Sequence, residues 1–211
     1  MNPAPAPCAP LSQQLRGATR ELHRAAEATP LVRALLRGEL DRGAYAALLA
    51  QLQALYAALE QGLERHAAEE TFAAFDFHAL RRLPALGADL HTLAEPAAAL
   101  QPATLDFVQR LQGLADGRQA PRLIAHAYVR YLGDLNGGQA LRRAVRGAPA
   151  LAEAGTAFYD FDDAPAIAAR FRAALDALPA ALAPALVDEA CWSFEQHRRL
   201  FDELAPAQAG A

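Results

Sequence analysis

The sequence predicts an all-α, single-domain fold, and three observations carry that prediction. Apolar residues recur at helical spacing through most of the chain. Alternating β-branched runs, the mark of half-buried strands, are absent. No internal repeat and no long linker divides the 211 residues, a length that suits one domain or at most two small ones.

Eight or nine helices follow from the punctuation. Residues 1–10 read as an extended lead-in, and the helical domain spans 11–204 before a soft tail at 205–211. Leu11 to Ala28 forms the first helix, with Ser12 as its N-cap before Leu15, Ala18, Leu22 and Ala26. Pro30 restarts the chain at the first position of a short helix through Arg37, and Gly38 stops it. Asp41 caps a long helix to about Ala67, whose buried face includes Tyr45, Leu49, Leu52, Tyr56 and Leu63. A loose aromatic stretch around Phe72–Phe77 leads into a helix from about His78 to Ala94, kinked or split at Pro84. Thr104–Leu114 forms the next helix. A long glycine-bearing helix around residues 123–145 follows, then a weakly patterned connection from Gly147 to Asp163. The last two helices run from about Ala164 to Leu178 and from Ala181 to Leu204.

Composition narrows the function. Hydrophobic residues make up 53% of the chain, so a sizeable core can form. The formal charge of −4 lacks the Lys/Arg excess that neutralising phosphates needs, which argues against a nucleic-acid binder. The two cysteines, Cys8 and Cys191, lack metal-type spacing and suit a reducing, cytoplasmic setting. No run approaches the ~18–20 apolar residues of a membrane span, and the first ten residues have no signal-peptide character.

The unusual stretch is Tyr128-Val-Arg-Tyr-Leu-Gly-Asp-Leu-Asn-Gly-Gly-Gln139. Gly133, Gly137 and Gly138 interrupt a strong helical pattern, at about 0.8–1 kcal/mol each relative to Ala. Gly133 and Gly137 lie four apart on one face, where bare backbone admits something flat or lets the helix bend. Arg130 and Asp134 form a charged pair one turn apart beside that strip. Equally, Asn136-Gly137 fits a helix C-cap with a second helix starting afterwards. A second cluster lies near the N-terminus. Glu27 stands one turn after His23, so it can hold the Nδ1 proton and leave Nε2 free for a metal. Arg16 and Arg20 precede His23 on the same side, ready for an anion near that metal.

The stretch from Tyr128 to Gln139 resembles the distal-helix signature of the heme oxygenases, and His23 with Glu27 resembles the family's proximal helix. The departure is Asn136, where many members carry Ser. The resemblance runs from about Leu11 to Leu204 and implies a heme held between a proximal helix and a kinked distal helix. It assigns His23 as iron ligand, and Arg16, Arg20 and Arg172 to the heme propionates, with arginine where members often use lysine. Ala166 to Ala169 is mostly apolar where relatives add a lysine, which implies a weaker propionate grip. Tyr56 and Tyr128 are expected to join a distal hydrogen-bond network, and Phe201 to line the heme wall; Phe194 reads as wall or core, with core preferred.

The remaining histidines carry bland readings: His66 and His78 solvated, His91 and His197 on helix surfaces, and His126 too far along the helix axis from Gly133 to ligate iron there. The implied reaction opens heme b (iron protoporphyrin IX), both cofactor and substrate, to biliverdin, CO and ferrous iron. O2 is consumed, and electrons come from a ferredoxin, a flavodoxin or an NADPH-dependent reductase. Gly133 and Gly137 would let the distal backbone crowd bound oxygen, and Asp134, held ionised by Arg130, would organise waters that deliver protons. The alternative reading is a heme-binding or heme-trafficking protein that uses the same pocket without turnover.

Overall fold

The computed structural model describes residues 9–152 and 154–205, so most of the expected lead-in and tail, residues 1–8 and 206–211, lies outside the described residues. Helix α1 (Leu11–Glu27) opens the domain. Pro10, not Ser12, stands at its N-cap, and Ser12 sits inside the first turn. There the Ser12 amide and hydroxyl both donate to the Asp176 carboxylate, at 2.8 and 2.9 Å, tying this helix to the end of a later one. Helix α2 (Pro30–Arg37) begins and ends where the punctuation predicts. Gly38 closes it at φ 70°, and a Cβ there would stand 3.2 Å from that of Ala148, so glycine is required on both counts.

Helix α3 (Arg42–Arg65) is capped by Asp41, whose carboxylate accepts from the Ala44 amide at 2.7 Å. The expected helix from His78 instead resolves into a one-turn α4 (Glu70–Ala73) and α5 (Leu83–Leu93). Pro84 starts α5 rather than kinking it, because a first-turn proline gives up no intrahelical bond. Helix α6 (Pro102–Asp116) runs about two residues longer at each end than its apolar pattern suggests.

Helix α7 (Leu123–Gly147) passes unbroken through all three glycines, which decides against a C-cap at Asn136-Gly137. After two short 3-10 turns come α8 (Ala164–Asp176), capped by Asp163, and α9 (Ala183–Glu203). No strand occurs among the described residues.

α7 is the hub. It packs against α2, α3, α8 and α9, while α1 lies along α9. One continuous apolar core joins Leu15, Leu49, Tyr56, Phe107, Ile124, Tyr131 and Leu200. Burying each such side chain contributes about 1.5–3 kcal/mol. Together these contacts hold α7 rigidly on its inner side and leave its other side for the site.

Candidate functional site

On α1, the expected pair forms. His23 Nδ1 lies 3.4 Å from Glu27 Oε2, one helical turn on, and both side chains are about half exposed. The Phe194 ring of α9 supports the imidazole edge-on, with centroids 5.7 Å apart at 73°. Phe194 is therefore a half-buried wall beside His23 rather than sealed core. No hydrogen-bond partner among the described residues meets His23 Nε2, the lone pair that a metal would take. Arg16 and Arg20 are exposed at one- and two-turn spacing before it, and Arg20 Nε donates to Glu21 at 3.1 Å.

On α7, a Cβ built at Gly133 or Gly137 meets nothing within 4 Å. Neither glycine is demanded by packing, in contrast to Gly62, whose Cβ would come 3.1 Å from Leu123. Gly17, Gly113 and Gly147 also face open space, but singly; of these glycines only Gly133 and Gly137 repeat at one turn. A bared strip on α7 and an imidazole with a free Nε2 on α1 match the chemistry of a slot for a flat iron macrocycle.

The end of that space is cationic. The Tyr128 hydroxyl lies within hydrogen-bonding reach of Thr19 on α1, and its proton is held more tightly than usual by burial, against the pull of Thr19, Arg16 and Arg172. Arg172 Nη2 donates to Asn136 Oδ1 at 3.2 Å, bridging α8 to α7. Arg16 on α1 and Arg172 on α8 thus both act on the Tyr128 hydroxyl. Thr19 and Asn136 are the members that the sequence did not single out as functional groups, since neither contact leaves a signal in local spacing.

Behind the strip lies a bonded network. Arg130 Nη2 donates to Asp134 Oδ1 at 3.0 Å, and Arg130 Nε donates to the Tyr56 hydroxyl at 3.3 Å. Tyr56 in turn donates to Asp134 Oδ2 across 78 residues of sequence. Tyr56 is fully buried and Asp134 nearly so, at 7% exposure. Burial pushes the Asp134 carboxyl up from its ordinary range, and Arg130 and Tyr56 pull it only part of the way back. Arg130 favours the ionised form as expected, while burial makes this carboxyl take up a proton more readily than a surface aspartate.

Two histidine readings need correction. His197 is 2% exposed, with Nδ1 held 2.7 Å from the Ser193 carbonyl and its ring edge-on to Phe107. Its polar sequence neighbours lie on the outer face of α9, while position 197 itself faces the core. His66 is not solvated; it contacts Glu69 at 2.6 Å and the Ala115 carbonyl at 2.9 Å, and stacks on Phe72. His78 and His91 are exposed as expected. His126 is fully buried, with Nε2 2.9 Å from Glu189 Oε1, which leaves it a structural role. Phe201 is half-buried, and its one ring partner among the described residues is His197 at 6.0 Å.

A cavity of about 250 Å³ lies elsewhere, between Glu60, Phe75, Phe77 and Tyr131. It falls below the ~300–1,000 Å³ of pockets for ligands of drug size, and a macrocycle would not fit.

Comparison with known proteins agrees with this geometry. The family model for heme oxygenase matches residues 9–203. Heme oxygenase 2 of the cyanobacterium Synechocystis is 37% identical over 207 residues, covering 92% of this chain and 82% of that protein. The solved heme oxygenase of Leptospira interrogans superposes with a TM-score of 0.85 at 32% identity, over 92% of this chain and 98% of that one. Heme oxygenase-1 of Synechocystis, solved in complex with heme, gives 0.86 at 32% identity, over 93% and 92%. The chain belongs to the heme oxygenase family.

Proposed function

We propose that this heme oxygenase grips heme b between α1 and α7, with His23 Nε2 as the iron ligand and Arg16, Arg20 and Arg172 at the propionates. Bound heme supplies the iron at which O2 is reduced and is itself the substrate, opened to biliverdin, CO and ferrous iron. Every other role belongs to the chain. Glu27 accepts from His23 Nδ1, which fixes the tautomer and the direction of Nε2. Gly133 and Gly137 present bare backbone, so the distal wall comes close without side chains and leaves little room for bulk water.

Asp134 is the proton-handling group. Each of its oxygens already accepts one hydrogen bond, from Arg130 or Tyr56, and each keeps a further lone pair that a bridging water can use. With its carboxyl pushed up by burial, it takes up and passes on a proton more readily than an exposed aspartate. Arg130 and Tyr56 orient it. Tyr128, at the cationic end, shapes the wall on the propionate side.

The observation that carries this reading is the glycine pair. At about 0.8–1 kcal/mol each relative to Ala, Gly133 and Gly137 together cost roughly 2 kcal/mol in mid-helix. No packing contact explains them, because a Cβ would meet nothing. Close approach of a flat ligand does. The electron donor is a ferredoxin, a flavodoxin or an NADPH-dependent reductase, which the reaction requires and no motif in the chain replaces. Among the described residues no helix is long and apolar enough to cross a membrane. With Cys191 unpaired among the described residues, we place the protein in the reducing cytoplasm.

The test is a single turnover: purified protein, hemin, O2 and ascorbate or a reductase. Bleaching of the heme spectrum with formation of biliverdin supports the reading. A hemin complex that persists with reductant and O2 present identifies a carrier instead.

A further inference from the structure

We propose that Asn136 is a positioning residue: it holds the Arg172 guanidinium across the opening between α7 and α8, and thereby sets how the propionate edge of the heme is seated. This inference rests on the heme reading above and goes beyond it by giving a role to Asn136.

Two bonds fix the geometry. Asn136 Nδ2 donates to the Leu132 carbonyl of its own helix at 2.6 Å. With the amide nitrogen turned inward, Oδ1 points out and accepts from Arg172 Nη2 at 3.2 Å. The reverse amide orientation would set donors against a guanidinium that has only donors, so chemistry on both sides selects the one seen. A serine would reach one bond less far and tends to spend its hydroxyl on the i−4 carbonyl.

Arg172 needs that support. It is exposed on α8, and Asn136 is its one hydrogen-bond partner among the described residues. Ala168, one turn earlier on the same face, is buried and apolar, so it adds no second cation at this edge. A free arginine carries about 2 kcal/mol of rotamer entropy, which binding must remove. The Asn136 bond restrains the side chain beforehand while engaging one of its five N–H groups, leaving four for a carboxylate. Arg16 and Arg172 both act on the Tyr128 hydroxyl, so the tethered cation stands at the same end as the α1 cation.

The experiment is a double-mutant cycle on the full chain, read by hemin titration, by the heme off-rate to a scavenger, and by the isomer composition of the bilin. Asn136→Ala should weaken hemin binding roughly three- to tenfold, as loss of a charge-assisted bond at a solvent-exposed edge does. It should also broaden the isomer mixture, with thermal unfolding unchanged. In an Arg172→Met background the same substitution should have no further effect. Equal losses in both backgrounds, or no loss where the unmodified chain binds hemin, would overturn the role of Asn136 alone. Failure of the unmodified chain to bind hemin would overturn this inference together with the functional reading.

Discussion

The two faces of α7 obey opposite rules. Its inner face is bonded to the rest of the fold: Arg130, Asp134 and Tyr56 bond to one another, and His126 meets Glu189 on α9 at 2.9 Å. Glu189 is 1% exposed and takes four bonds, two from Arg110 and one each from Arg122 and His126. The outer face is left open, with Gly133 and Gly137 before empty space and exposed Asn136 beside them. One helix thus carries both a clamp and a vacancy, and the clamp gives the vacancy a fixed shape. A ligand-free bundle would have filled the outer face with alanine, a residue this chain uses throughout.

The comparison breaks most visibly at the clamp. Glu189→Ala should cost about 3–5 kcal/mol of unfolding free energy, because it strands Arg110, Arg122 and His126 without their counter-charge. Urea denaturation of the heme-free protein checks this, and a loss below ~1 kcal/mol would show that the clamp is not structural.

Next in size is the proton network. Asp134→Ala should lower bilin formation at least about a hundredfold, the usual contribution of a positioned acid–base group. Hemin uptake should change less than about threefold, since Asp134 faces Arg130 and Tyr56 and not the propionate end. Equal losses in uptake and turnover would reassign it to the scaffold.

Acid sharpens the same contrast. Burial alone would raise the Glu189 carboxyl, but bonds from His126 and Arg110 pull it down to about 2. Its folded value lies below its unfolded one, so its stabilisation is complete above about pH 4.5 and is lost as pH falls from there towards 2. Burial also holds the His126 imidazole below its ordinary range, despite the opposing pull of Glu189. Protonation of the unfolded chain below about pH 6.5 therefore adds to the acid loss. Asp134, shifted upwards, works in the opposite direction. Glu189→Gln isolates the first effect: its stability should fall less steeply between pH 4.5 and 2 than that of the unmodified protein, measured by thermal unfolding.

The smallest effect has the opposite sign. Gly133→Ala should raise the stability of the heme-free protein by about 1 kcal/mol, since helix propensity improves and the new methyl meets nothing. Hemin affinity and turnover should both fall. A variant that is more stable and fully active would remove the reason given for the glycine.

Parts of this arrangement are legible in sequence because their causes are local. Asp41 announces a helix start through a short side chain that reaches back to a first-turn amide. The His23–Glu27 and Arg130–Asp134 pairs follow from one-turn spacing. Pro10 overrode Ser12 because either can begin a helix, and only the contact with Asp176, 164 residues away, decides where the serine goes. His197 was misread for a similar reason: Gln196, Arg198 and Arg199 make its neighbourhood polar, while its own direction is set by Phe107 on α6. Tyr56 with Asp134, His126 with Glu189, and Asn136 with Arg172 pair across long separations, and no periodicity encodes such partners.

The central claim is that His23 binds the iron and faces the bared strip on α7. Hemin titration of His23→Ala, followed by optical and resonance Raman spectra with and without added imidazole, tests it most directly. The account predicts loss of the iron–histidine signature and of bilin formation, with the signature restored when free imidazole fills the place of the missing side chain. A His23→Ala protein with the unaltered iron–histidine signature and undiminished turnover would contradict it.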